Sequence, residues 1–150
     1  MFERVSFEES TRLEALAWRV RNELAAAGLP VVAPGMDPQL VGGAEVTFDD
    51  GADAGGGVWV EWKGSPRLWE STGRALRLQK LDDPVIGHCA RVTAAMMRAL
   101  DAVLTSAGFT VEDPKNEYRP FQLRVVARPG PFPPCTWESR GEDAPDRDPV

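Results

Sequence analysis

His88 and Cys89 stand side by side, and they are the first place to look for acid–base or nucleophilic chemistry in this 150-residue chain. His88 is the only histidine. A metal site needs several converging ligands, and neither a Cys pair nor a second His stands near it. A general base needs an oriented partner, and the sequence identifies none. If both residues lie on a helix, their side chains point about 100° apart. Burial also makes a thiol inert. His88 therefore reads as a surface histidine near Arg91 and Arg98, and Cys89 as part of an apolar stripe.

Two acidic groups deserve the same test: Asp49, Asp50 and Asp53, then Asp82 and Asp83. The run DDGAD lacks the alternating acids and terminal Glu of an EF-hand loop. It reads as a turn with solvated carboxylates. GADAGGG has no Lys-Ser/Thr and no G-x-G-x-x-G, and it precedes a strand pattern, so phosphate cradling has no support. The polar loop EDPKNEYRP carries Tyr118 and Arg119, which read either as a recognition surface or as a plain connection. No catalytic, cofactor or metal set emerges, and the expectation is a protein without enzymatic activity.

The elements that would position these residues are legible. The best-specified is a helix over 84–107. Asp83 can cap it, Pro84 suits its first position and Gly108 supplies a left-handed stop. Val85, Cys89, Val92, Met96, Leu100, Val103 and Ala107 form its apolar stripe, widened by Ile86, Met97 and Leu104. An earlier helix over 7–27 starts at the capping box of Ser6 and Glu9. Its stripe is Leu13, Leu16, Ala17, Val20, Leu24 and Ala27, with Trp18 on the shoulder. Leu29 to Ala33 suggests a short strand. Residues 44–48 and 58–62 alternate as a hairpin with a long tip. A short helix follows over 66–80, weakened by Gly73. Residues 109–112 and 121–127 read as two further strands.

Helices segregated from an antiparallel sheet describe an α+β, two-layer sandwich. About four strands would carry two long helices and one short helix on one face. Residues 1–128 form the domain. Residues 129–150, rich in Pro and acid, read as a disordered tail.

A net charge of −6 and a pI near 4.8 disfavour nucleic acid and anionic membranes as partners, because phosphate binding needs a basic stripe. Arg far outnumbers Lys, the mark of a GC-rich, bacterial genome. No signal peptide or membrane span is apparent, which points to the cytoplasm, and Cys89 and Cys135 read as thiols that never meet.

The sharpest expectation comes from strand alternation. If Val46, Phe48, Val58, Val60, Trp62, Leu123 and Val125 face the helices, then Glu45, Thr47, Trp59, Glu61, Gln122, Arg124 and Val126 share the opposite face. An antiparallel sheet can leave that face wet. Trp59, Glu61 and Arg124 there would bind a protein partner or a second copy of the chain, unless the tail or Arg124 covers the indole. The expected function is a small acidic protein-binding module that contacts a partner or forms a homodimer. One variant is an immunity-type inhibitor of a toxin, acting by charge complementarity. The rival is a small-ligand-binding protein or enzyme with a pocket between sheet and helices, lined by Trp62, Trp69 and His88.

Overall fold

Ser6 opens the first helix, α1 (Phe7–Ala26), by accepting the Glu9 N–H at 3.2 Å. Gly28, at φ 90°, ends it. The structure, a computed structural model, describes residues 6–49, 51, 57–114 and 121–138. Asp50, Asp53, the run Ala52 to Gly56, Tyr118 and Arg119 lie outside the described residues, as do residues 139–150.

The stripe of α1 is buried as its spacing requires: Leu13, Leu16, Ala17, Val20 and Leu24 all face the core. One acid joins them. Glu23 is 6% exposed. Its carboxylate accepts the Trp137 indole N–H at 3.0 Å and lies 3.7 Å from Arg19. Trp18 stays half-exposed, with the Arg21 guanidinium 5.2 Å from its ring. Burial lowers the pKa of Arg21, and Glu14 partly offsets this.

After α1 the chain makes a single parallel bridge, Val31 to Ala44, where a short strand was expected. A one-turn helix, α2 (Pro38–Val41), follows under an Asp37 cap. It leads into strands β1 (Gly43–Asp49) and β2 (Gly57–Lys63), paired antiparallel from Gly43↔Lys63 to Asp49↔Gly57. Gly43 has φ 113°, and a Cβ there would lie 2.7 Å from the Pro30 carbonyl oxygen. That oxygen also accepts the Ala44 N–H at 2.9 Å, so the approach is fixed. Gly43→Ala is expected to cost about 1–3 kcal/mol, read as a lower urea midpoint.

Next come α3 (Pro66–Arg77), capped by Ser65, and α4 (Pro84–Ser106), capped by Asp83 through the Val85 N–H at 2.9 Å. Two short strands complete the sheet, β3 (Val111–Glu112) and β4 (Leu123–Val125). The order is β1-β2-β4-β3, antiparallel throughout. Ala44, Val46, Val58, Val60, Leu123 and Val125 meet α1, Leu100, Leu104 and Phe109 in one core. This is the expected α+β, two-layer arrangement. No helix among the described residues is long and apolar enough to cross a membrane.

The structure departs from expectation along α4. Only Leu100 and Leu104 are buried, whereas Val85, Ile86, Cys89, Val92 and Met96 stay partly exposed. Lengths explain it. A 23-residue helix spans about 35 Å at 1.5 Å per residue, while a seven-residue strand spans about 23 Å. The last half of α4 covers the sheet, and the first half overruns it to meet α3.

The segment expected to begin a disordered tail is in contact with the domain. Arg12 donates to the carbonyls of Arg128, at 2.7 Å, and Gly130. Arg19 donates to the Pro133 carbonyl at 2.8 Å. Phe132 packs on the core beneath the Arg12 guanidinium, 4.7 Å from its ring centre. Residues 128–138 thus form a strap along α1. Local sequence could not show it, because its partners lie more than a hundred residues away.

Candidate functional site

Alternation places Trp59, Glu61 and Arg124 on one sheet face, as expected, with Trp59 directly opposite Thr47 and Arg124. The open indole expected there is not what the structure holds. Trp59 is 1% exposed, among the largest fully buried side chains. The Arg124 guanidinium lies 6.0 Å from its ring and 3.7 Å from the Glu112 carboxylate. Glu61 is engaged twice, with Lys63 at 3.1 Å and with the Gln122 amide at 2.7 Å. Strand periodicity tells which face a side chain takes. It does not tell what lies on top of it.

A concave feature with an apolar lining lies elsewhere, where α4 overruns the sheet. A cleft of about 530 Å³ lies between α3 and the first half of α4. Trp62 of β2 and Leu123 of β4 reach it from the sheet. Trp69 comes from α3, and Ile86, Cys89 and Met97 from α4. The N-cap of Ser65 sets where α3 begins and so where Trp69 stands. Phe121, 76% exposed, stands at the mouth. Its φ of 61° is uncommon for a bulky residue and carries strain.

The polar groups of the cleft are few. Thr72 and Thr93 donate to the carbonyls of Leu68 and Cys89, at 2.8 and 2.9 Å, so their hydroxyl protons are already used. Among the described residues the charged groups along the cleft are Glu61, which Lys63 already pairs, Asp101, Asp113 and Arg98. Cys89 brings a thiol to an apolar wall. His88 is exposed and takes no part in the lining. Among the described residues no group of three His, Cys, Asp or Glu is placed to hold a metal ion.

Trp62 and Trp69 are therefore brought together as the pocket reading expected, and His88 is not. Cys89, Met97 and Phe121 were missed. Cys89 and Met97 belong to a stripe that periodicity assigns to the core, and only the mismatch of helix and strand lengths exposes them. Phe121 gives no signal in the sequence, because nothing local announces its positive φ. No known protein family, characterised protein or solved structure matches this chain.

Proposed function

We propose that this protein is a binding module whose site is the α3–α4 cleft, and that it holds a small molecule with an apolar body. The observation that carries this is the partly exposed apolar stripe on the first half of α4, closed by two tryptophans into about 530 Å³. That volume falls within the range of small-molecule sites, and so does the mix of apolar walls with a few polar groups. The predominance of apolar side chains in the lining favours a neutral ligand over a charged one. A thiol without a base beside it suits holding better than reacting.

Ala94 lines the cleft and is exposed, so a larger side chain there occupies the space without disturbing the core. The probe is the neutral fluorophore N-phenyl-1-naphthylamine, with anilinonaphthalene sulfonate as its anionic counterpart. The wild type is expected to bind the neutral probe more tightly. Ala94→Trp is expected to weaken that binding at least ten-fold, with the melting temperature unchanged. Equal binding by both proteins sinks the assignment.

A second reading, contact with a protein partner or a second copy across the sheet face, keeps one favourable observation. The Arg124–Glu112 pair presents both charges at the surface, with side chains 34% and 49% accessible. In that reading Glu61 and Arg124 make the contact, and Trp59 supports them from below.

A further inference from the structure

We propose that the groove along α1, now holding residues 128–138, is a recognition site for extended proline-rich peptides. The strap is its resident ligand. This site is separate from the α3–α4 cleft and does not depend on it.

The argument begins with how the strap is held. Among the described residues no backbone–backbone hydrogen bond joins 128–138 to the domain. The grip comes from side chains. Arg12 and Arg19 donate to three main-chain carbonyls, those of Arg128, Gly130 and Pro133. Such a grip reads main-chain carbonyls and ignores most side chains, and between bends at Gly130, φ 99°, and Thr136 the strap runs without regular structure. Proline has no N–H and cannot join a ladder, but its carbonyl is free to accept. Proline-rich segments are pre-extended, so little entropy is lost when they dock, and they dock on aromatic-lined grooves.

Two side chains add selectivity. Phe132 stands at a cavity of about 340 Å³ between strap and domain, where the domain contributes Leu16, Phe109 and Val126. Trp137 gives its indole proton to Glu23, a carboxylate that is otherwise buried. Arg19 also faces this carboxylate, at 3.7 Å, and Glu23 offers its second oxygen to an N–H at that place. Gly108 completes the fit, since a Cβ there would lie 2.9 Å from Pro133 Cβ. The ligand pattern is aromatic-Pro-Pro-x-x-Trp. The groove also continues past Trp137 between Ala26, Ala102 and Ser106, in a space of about 890 Å³, beyond the hydrogen bonds that residues 128–138 make.

A tethered segment competes at an effective concentration in the millimolar range. A free peptide should therefore bind poorly to the wild type and well once the resident anchors are gone. The probe is a fluorescein-labelled peptide with the sequence of residues 128–138, serine replacing its cysteine, followed by anisotropy. The full chain carrying Phe132→Ser and Trp137→Ser is expected to bind it at least ten-fold more tightly than wild type. Adding Arg12→Ala and Arg19→Ala should abolish binding. No binding by the folded double variant, or binding that survives loss of both arginines, overturns the proposal.

A second measurement leaves the anchors in place. In a Cys89→Ser background, Cys135 of the strap is the single thiol. Saturating unlabelled peptide should displace the strap and raise the Cys135 alkylation rate several-fold. A rate that does not respond overturns the proposal even if the anchor variant fails to fold.

Discussion

Trp59→Ala is expected to destabilise the fold by about 3–5 kcal/mol, the range for truncating a buried aromatic side chain. The residue lies on the sheet face away from the helices, yet it is 1% exposed. Its loss would leave a cavity in the centre of the sheet, since β2 is flanked by β1 on one side and β4 on the other. It would also strip the Arg124 guanidinium of the ring beside it. With a urea dependence of roughly 1–3 kcal/mol per molar, the midpoint should fall by about 1–5 M. The same samples belong in size-exclusion chromatography with light scattering. A mutant that keeps the wild-type midpoint but loses a wild-type dimer would show Trp59 to be an interface residue, and the protein-contact reading would then displace the cleft.

Trp59 also shows where sequence reading stops. Its face was fixed by alternation, a property of a few neighbouring residues, and the pairings Trp59↔Thr47 and Trp59↔Arg124 agree with it. One of its neighbours, the Arg124 guanidinium 6.0 Å from the ring, arrives from β4 after two intervening helices, and no local pattern encodes that. The helix ends were legible for the same local reason: Ser6, Ser65 and Asp83 each cap with their own side chains. The length of β4 was not. Residues 121–127 alternate well, yet Phe121 turns to φ 61° and the paired strand is only Leu123–Val125. That shortening bears on the site, because a short sheet does not reach the first half of α4, which faces α3 instead. The strap escaped notice for a related reason. Its composition argues against an independent core, but Arg12 and Arg19 supply partners from the other end of the chain.

Leu100→Ala and Ile86→Ala test this division along a single helix. Both residues belong to the apolar stripe of α4, and periodicity alone treats them alike. Leu100 is 0% exposed and packs in the core beneath the sheet, so its truncation should cost about 2–5 kcal/mol. For a domain of this size that is a fall in melting temperature of roughly 5–15 °C. Ile86 lines the cleft and keeps part of its surface in water. Less area leaves water on folding there, so Ile86→Ala should cost only about 1 kcal/mol. The ranking matters more than either value. If the two substitutions cost the same, the first half of α4 is as well covered as the second, and no cleft is open to a ligand. If Leu100→Ala is far the more severe while Ile86→Ala weakens the neutral probe, then the stripe divides by function. One end holds the fold together, and the other keeps apolar surface exposed for a ligand to bury.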